Sequence, residues 1–453
     1  MNKRTVYIET YGCQMNVNDS EVVAAILKDE GFDYTGNIAQ AQLILLNTCS
    51  IREHAENRVF QRLHEIKKLR SEKPALLIGV IGCMAERLRD QLFDNNLLAD
   101  IVAGPDTYRN LPELITIAEN SRKAINTHLS DTETYADIMP YRVGNNRISS
   151  FVSIMRGCNN FCSYCIVPYT RGRERSRDIA SILHEVEQLQ KSGYKEVTLL
   201  GQNVNSYKAP SNSPTGGEQF PPYGGTKGGF AELLEQVAQA VPGMRVRFTT
   251  SHPKDMGDDV LHVMARNANI GRWVHLPVQS GSSTVLERMN RKYNREYYLN
   301  RVEAIRTILP DASITTDILC GFSNETEEEH AETLSLMREV GYDLAYMFKY
   351  SERPGTLASK KMPDTVGEET KIRRLNEIIA LQNSISKAQN RADIGKTFEV
   401  LVEGRSKKNE NELKGRNSQN KTVIFPKGNA KVGDFVQVRV NSATSATLIG
   451  EIV

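Results

Sequence analysis

Short apolar runs alternating with helical stretches, three of the runs ending beside a cysteine, constrain this chain more than any other feature. Residues 4–9 (RTVYIE) lead into Tyr11-Gly12-Cys13, Leu43–Leu46 into Asn47-Thr48-Cys49, and Ala75–Ile81 into Gly82-Cys83. A fourth run, Asp100–Ala103, ends at Gly104-Pro105. Helical patterns separate them: Asn18-Asp19-Ser20-Glu21 to about Glu30 with Gly31 as its stop, Arg52 to about Arg70, and Ala85–Leu92. This alternation predicts βαβ units and an open parallel sheet. In such a sheet the carboxyl ends of the strands share one edge, where ligands bind. Cys13, Cys49 and Cys83, at intervals of 36 and 34 residues, would therefore converge without being neighbours in sequence. One such cysteine would be read as packing, since free cysteine is commonly buried. Three at the same topological position point to a [4Fe–4S] cluster with one iron left open.

A second trio is local. Cys158, Cys162 and Cys165 follow the apolar run Phe151–Met155 in a C-x-x-x-C-x-x-C spacing. Three thiolates from one loop can hold three irons of a cube, and no fourth cysteine lies nearby. Structural zinc, the competing metal, prefers four closed ligands, usually from paired C-x-x-C motifs, and no second pair exists here. The spacing, with Tyr164 just before the third cysteine, resembles the signature of the radical-SAM enzymes. That resemblance implies that the open iron is chelated by S-adenosylmethionine, whose sulfonium is cleaved by one electron to a 5′-deoxyadenosyl radical.

Past this loop the strand–helix pattern repeats. Strands are predicted near 195–200, 245–250, 272–276, 313–319 and 343–348, with helices near 178–192, 229–240, 256–266, 294–308 and 325–340. With Phe151–Met155 they make six strands, a partial α/β barrel whose site sits at the strand carboxyl ends. Ala209–Gly229 is rich in Gly, Pro and Ser and reads as an insertion on that same side, either a substrate-contacting lid or disordered chain. A helical pattern from about Glu368 to Gln389 closes the barrel. The runs Phe398–Val402, Thr422–Phe425 and Phe435–Val440, with Ala446–Val453 as a weaker one, then predict a small OB-like β-barrel. Its middle, from Arg405-Ser406-Lys407-Lys408 through Lys414-Gly415-Arg416 to Lys421, is basic and suited to phosphate, although a solvated face is the plainer reading.

The expected fold class is thus α/β, with an N-terminal sheet domain over 1–120, a linker over 121–148, the barrel over 149–390 and the β-barrel over 391–453. A length of 453 residues accommodates three such units. A net charge of +2 gives no global sign of nucleic-acid binding, and no apolar stretch approaches a membrane span. The start MNKRTVYIETYGC has no signal-peptide pattern, so the cytoplasm is the expected compartment, in keeping with unpaired thiols.

The chain as a whole resembles the methylthiotransferases: an N-terminal domain with three separated cysteines, a radical-SAM core and a C-terminal TRAM domain, in that order. The stretches that carry the resemblance are NTCSIREHAENRVF (47–60), GCNNFCSYCIVPYTRGRERSR (157–177), GQNVNSY (201–207), TSHP (250–253), HLPVQSGS (275–282), FKYSERPGTLAS (348–359) and LKGRNSQNK (413–421). The resemblance implies two [4Fe–4S] clusters, on Cys158, Cys162 and Cys165 and on Cys13, Cys49 and Cys83, and two S-adenosylmethionines, one a methyl donor and one a radical source. The implied substrate is tRNA with an isopentenylated adenosine beside the anticodon, methylthiolated at carbon 2. Gly201, Gln202, Asn203, Ser251 and Gln279 are candidates for cofactor contact, with ordinary loop hydrogen bonding as the alternative. Arg171, Arg173, Arg175 and Arg177 are candidates for RNA phosphate or the cofactor carboxylate, with surface salt bridges as theirs. An electron donor such as flavodoxin or ferredoxin and a sulfur source are required, and a monomer is expected because neither trio needs a second subunit. Sister substrates (threonylcarbamoyl-adenosine tRNA, a ribosomal-protein aspartate), a non-catalytic iron–sulfur RNA-binding protein and a zinc-binding RNA module are the competing readings. One departure is Cys320-Gly321-Phe322-Ser323-Asn324-Glu325-Thr326, where the family commonly has V-G-F-P-G-E-T; Cys320 reads as a packing cysteine.

Overall fold

The computed structural model describes residues 4–50, 53–93, 99–142, 147–210 and 227–453. The N-terminal part comprises β1 (Arg4–Tyr11), α1 (Gln14–Asp29), β2 (Phe32–Tyr34), β3 (Leu43–Thr48), α2 (Glu53–Glu72), β4 (Leu77–Gly82), α3 (Cys83–Leu88), β5 (Ile101–Ala103), α4 (Leu111–Ser121) and β6 (Ala124–Asn126). Its six strands form a parallel sheet in the order β2-β1-β3-β4-β5-β6. Every residue of β3 and β4 is buried, as expected of central parallel strands covered on both faces.

Three local differences from expectation have physical causes. α1 starts at Gln14 with Cys13 as its N-cap, because Asn16 Oδ1 accepts the Cys13 N–H at 3.3 Å. Asn18, Asp19 and Ser20, read as a helix start, are buried inside the helix. β2 and β6 are three residues each, too short to show a period, and β6 occupies part of the segment expected as a linker.

The central part runs through β7 (Ser149–Ser153), β8 (Met155–Arg156), α5 (Val167–Arg171), β9 (Arg175–Ser176), α6 (Ile179–Lys191), β10 (Glu196–Leu200), α7 (Phe230–Ala240), β11 (Arg245–Thr249), α8 (Asp258–Arg266), β12 (Trp273–His275), α9 (Ser283–Arg288), α10 (Arg295–Ile308), β13 (Ser313–Cys320), α11 (Glu327–Val340) and β14 (Leu344–Lys349). Two parallel sheets, β7-β10-β11 and β12-β13-β14, are joined by a bridge between Val246 and Ile270. They make the expected six-stranded half-barrel, with β7 and β14 as its edges. β8 and β9 form a short antiparallel ribbon around the cysteine loop. The expected insertion lies mostly at residues 211–226, outside the described residues; Lys208 and Gly229 at its flanks pair antiparallel.

After α12 (Leu357–Lys361) and α13 (Glu368–Arg391), the strands β15 (Thr397–Arg405), β16 (Glu412–Asn417), β17 (Thr422–Pro426), β18 (Phe435–Ala443) and β19 (Leu448–Ile452) close a barrel in the order β15-β16-β17-β19-β18. The basic middle stretch runs from the end of β15 through the strand β16 to the turn after it, with Leu413 turned into the barrel core between Glu412 and Lys414. The β16–β17 turn docks at the amino ends of the half-barrel strands. Arg247 donates to the carbonyls of Asn417 (2.7 Å) and Ser418 (2.9 Å), Arg245 to that of Arg416 (2.8 Å), and Ser313 to that of Gln419 (2.6 Å). This is the end opposite the cysteine loop. Among the described residues no helix is long and apolar enough to cross a membrane.

Candidate active site

The three separated cysteines meet because their strands are neighbours in register. Tyr11 of β1 pairs with Thr48 of β3, and Thr48 pairs with Gly82 of β4. Cys13, Cys49 and Cys83 lie one or two residues beyond these partners. Gly12 permits the close approach: a Cβ there would come within 2.8 Å of the Cys49 Cβ. A hydrogen bond with Cys49 draws the Cys13 thiol down to about 6 against the effect of burial, with Arg171 adding to the shift. Cys83, fully enclosed, is pushed up by burial.

Cys158, Cys162 and Cys165 occupy the loop between β8 and α5. Gly157 (φ +75°) has no room for a Cβ, which would sit 1.9 Å from the Arg173 carbonyl oxygen, so only glycine can open this loop. The other side of the loop is tied to the α9–α10 connection: Ser163 N–H donates to the Met289 carbonyl (3.0 Å) and Ser163 Oγ to that of Arg288 (2.8 Å). Burial raises Cys158 to about 11, and burial with the neighbouring Cys162 raises Cys165 to about 12. Thiols held this high need a positive charge or a metal to ionise.

Each trio is faced by one buried guanidinium. Arg171 Nε donates to Cys83 Sγ at 3.2 Å and its Nη2 to Asp19 Oδ2 at 2.8 Å. Arg291 Nη1 donates to Cys162 Sγ at 3.4 Å, and its other donors reach the Pro277 carbonyl and the Tyr293 hydroxyl. Arg171 ends α5, six residues after Cys165, so one helix turn leads from the loop trio into the separated trio. Asp19, on the helix that Cys13 caps, also binds Arg156 Nη1 at 2.8 Å. Burial opposes its ionisation, and Arg156 and Arg171 overcome it, holding Asp19 below the usual carboxylate range. Arg175 pairs with Asp106 (2.8 Å) and Arg177 with Glu185 (2.6 Å).

The arginine run is therefore not what local sequence indicates. Arg171, Arg175 and Arg177 are buried, neither surface salt bridges nor open to RNA phosphate; Arg171 and Arg175 tie the N-terminal sheet domain to the half-barrel, and Arg177 ties β7 to α6 within the half-barrel. Arg173 alone of the four is exposed, over the Phe161 ring at 5.8 Å.

The polar candidates separate in the same way. Asn203 Nδ2 donates to Asp255 (2.7 Å) and its Oδ1 accepts from His252 N–H (3.1 Å), so it holds the loop after β11. Gln279, at φ +73°, is locked by backbone bonds to Asp317 and Leu319 of β13. Gly201 packs against Met155 with no space for a side chain. Gln202 Oε1, Ser251 Oγ and His252 Nε2 are buried with no hydrogen-bond partner among the described residues. Such orphans at strand carboxyl ends fit a polar ligand. Burial, with the nearby charges of Arg291 and Lys254, lowers His252 to about 2, so its ring is neutral. Arg291, Asp19 and His252 were not among the expected site residues; only His252 lies in a stretch that carries the family resemblance, and Asp19 was read only as part of a helix start.

Among the described residues no three His, Cys, Asp or Glu side chains close on a single-ion point. A four-iron cube instead takes one thiolate per iron, and the thiol donors, the two guanidiniums and the orphaned polar atoms suit an anionic cluster with a polar ligand. In the departure noted above, Asn324 adopts φ +61° where the family has glycine, and Gly321 N–H bonds Glu325 Oε2 at 2.6 Å, so the turn is kept. Cys320 is buried as expected.

Comparison with known proteins agrees with this layout. The Uncharacterized protein family UPF0004 matches residues 5–104, the Radical SAM superfamily 152–337 and the TRAM domain 391–453. The radical S-adenosylmethionine methyltransferase TsrM from Kitasatospora setae shares the fold with a TM-score of 0.56 at 15% identity, over 79% of this chain and 75% of that one. The S-adenosylmethionine radical enzyme OxsB shares it at 0.55 and 12%, over 84% and 56%. A tRNA-2-methylthio-N(6)-dimethylallyladenosine synthase of Bacteroides thetaiotaomicron is 57% identical over 99% of this chain and 96% of its own length. One of Porphyromonas gingivalis W83 is 54% identical over 100% and 95%. Identity of that order over essentially the full length of the chain leaves one assignment: the chain belongs to the tRNA-2-methylthio-N(6)-dimethylallyladenosine synthase family.

Proposed function

We propose that this protein is a radical-SAM tRNA methylthiotransferase acting on N6-dimethylallyladenosine beside the anticodon. The observation that carries the reading is the pair of cysteine trios brought to one interface, each with a buried arginine on a ligand sulfur. Kinship at 54–57% identity with tRNA-2-methylthio-N(6)-dimethylallyladenosine synthases favours this substrate over the sister ones. Cys158, Cys162 and Cys165 hold the [4Fe–4S] cluster that goes with S-adenosylmethionine; Cys13, Cys49 and Cys83 hold a second. When bound, these groups supply one-electron cleavage of the sulfonium and a carrier for the sulfur that is methylated and inserted at carbon 2.

The chain's own residues then have definite tasks. Arg291 and Arg171 donate to thiolate sulfur and stabilise negative charge on it. Gln202 and Ser251 offer polar atoms to the cofactor from the ends of β10 and β11, while Asn203 keeps those two loops together. Gly157 and the β8–β9 ribbon set the loop trio, and the buried Asp19–Arg156 pair excludes water from the space between the trios. The basic β-barrel provides phosphate attraction for the anticodon stem-loop. An electron donor such as flavodoxin or ferredoxin and a sulfur source complete the reaction, the enzyme acting as a monomer in the cytoplasm.

The test is iron and acid-labile sulfide per chain after anaerobic reconstitution, with mass spectrometry of dimethylallylated tRNA incubated with each sample. Two clusters' worth in the wild type and one in a Cys13/Cys49/Cys83→Ala variant is expected, the variant still cleaving S-adenosylmethionine but leaving the tRNA without a methylthio group. A single cluster in both would remove the sulfur carrier from the reading.

A further inference from the structure

The loop trio has an inner side, which faces the separated trio, and an outer side open to solvent. α5 marks the division. Tyr169 and Arg171 are two residues apart on it, and a helix turns about 100° per residue, so their side chains leave opposite faces. Arg171 is buried against Cys83 and Asp19, whereas Tyr169 is 41% exposed. Phe161, joined to Cys162 by one peptide bond, is exposed as well, and its ring meets that of Tyr169 edge-on at 6.3 Å. Two aromatic rings thus stand on the outer side of the ligand loop.

Phe161 is not placed there by local preference. It has φ +47°, a left-handed backbone that is costly for a bulky side chain, and its carbonyl accepts from Asn290 Nδ2 at 2.9 Å. Glycine or asparagine would relax this turn, yet a ring is turned to solvent. Each ring carries a cation: the Arg173 guanidinium lies 5.8 Å from the Phe161 centroid, and Lys360 Nζ lies 5.8 Å from that of Tyr169. Lys360 and the exposed Lys361 end α12, which is fastened to the cysteine loop by the Ala358 N–H on the Ser163 carbonyl (2.7 Å). Arg173, Lys360 and Lys361 make no ion pair among the described residues. Glu174, the carboxylate beside Arg173 in the chain, is half-buried and hydrogen-bonded to Ser206.

We propose that this aromatic, cationic face of the ligand loop is the docking site for a small acidic protein that carries one electron to the loop-trio cluster. The inference rests on the function proposed above and adds the place where the electron enters. The inner side of the loop is taken by cofactor and substrate, so a second protein has the outer side. Electron transfer weakens steeply with distance, and Phe161 is the direct neighbour of a ligand cysteine. Redox partners meet through small, short-lived contacts, and complementary charge speeds their encounter. Three cations without carboxylates of their own select an anionic partner. In the step, the carrier's reduced cofactor loses one electron and the cluster gains it; no bond forms or breaks and no proton moves. RNA, the other polyanion of the reaction, is drawn to the basic β-barrel, which docks at the far end of the half-barrel strands.

The experiment uses the reconstituted full-length protein, with flavodoxin hydroquinone and a reduced ferredoxin, both of net negative charge, as probes. Their oxidation on mixing is followed by stopped-flow absorbance across a salt series. Lys360→Glu and Arg173→Glu are each expected to slow the second-order reaction about 10-fold at low salt, the difference closing as salt screens the charge. Tyr169→Ala should slow it at every salt concentration, and Lys360→Arg should stay within about twofold of the wild type. Iron content, and the electron paramagnetic resonance spectrum after dithionite, which needs no docking site, should match the wild type in all four. Charge-reversal variants that both carriers reduce as fast as the wild type overturn the docking site and leave the proposed function intact. A wild type that dithionite reduces and neither carrier does has the same meaning. Variants that are reduced normally but bind anticodon stem-loop RNA more weakly would make this an RNA surface, and the proposal would fall. A wild type without a cluster on the loop trio overturns the docking site and the proposed function together. If Tyr169→Ala loses its cluster, Lys360→Glu decides, because α12 lies outside the ligand loop.

Discussion

The two cysteine trios are alike in chemistry and differ in the charge around them. Arg171, on the separated trio, is balanced by Asp19, which it shares with Arg156. Arg291, on the loop trio, meets a carbonyl and a tyrosine hydroxyl and has no carboxylate within ion-pairing distance among the described residues. Burial disfavours any charge, so an unbalanced guanidinium is held only where an anion is expected beside it. The loop trio is therefore built for a larger negative charge than the separated trio. The separated trio is instead built into an interface whose stability depends on its ion pairs.

The largest effect should come from breaking that interface. Asp19→Ala leaves Arg156 and Arg171 buried without their shared carboxylate and should cost about 3–5 kcal/mol in urea unfolding. Arg171→Met in the Asp19→Ala background should recover part of the loss, since the two sites share one network. A stability change within about 0.5 kcal/mol for the single variant would show that the interface holds by packing alone.

Next come the arginines themselves. A charge-assisted hydrogen bond of about 1.5 kcal/mol corresponds to roughly 60 mV for one electron. Arg291→Met should lower the midpoint potential of the loop-trio cluster by about that amount, read by electron paramagnetic resonance during a redox titration. At the second cluster proposed above, Arg171→Met should give a smaller shift, because Asp19 already offsets part of its charge. Equal shifts would erase the contrast drawn here.

Acid should separate the two sites as well. Burial works against ionised Asp19 and its arginines win, so its folded value is depressed. The stability it contributes is complete above the unfolded carboxylate value of about 3.9 and is lost as pH falls through the lower folded value. Melting temperature should thus fall in acid, and Asp19→Asn should flatten that slope. Arg291 has no carboxylate partner among the described residues, so Arg291→Met should leave the slope as it is. The smallest effect is expected for Arg173→Ala, within about 0.5 kcal/mol, because this member of the run is exposed.

The Arg171–Arg177 run shows where sequence reading stops. Its alternating arginines look the same from the chain alone, yet three are buried and one is not. The carboxylates that decide this, Asp19 and Asp106, lie 152 and 69 residues from Arg171 and Arg175, beyond any local pattern. β10, β11, β12, β13 and β14 were legible because short strand-type stretches alternate regularly with helical ones along this part of the chain. β16 was read only as a basic stretch, since its Lys and Arg side chains face outward and only one large apolar side chain, Leu413, points inward. Gln202 and Ser251 were named from resemblance, but that they are orphaned while Asn203 is satisfied follows from the packing of the loops after β10 and β11.

Residue spacing and strand periodicity alone determined the three-part α/β architecture, the two cysteine trios and the edge on which the separated one gathers. Those features depend on local backbone preference and on the shared direction of parallel strands, and both are written within short windows of the chain. Only the tertiary structure decided which charges are buried, which arginine faces which thiol, and that the β16–β17 turn docks at the amino ends of the half-barrel strands. Burial and pairing are set by residues far apart in sequence, and the energy of a charge depends on what surrounds it.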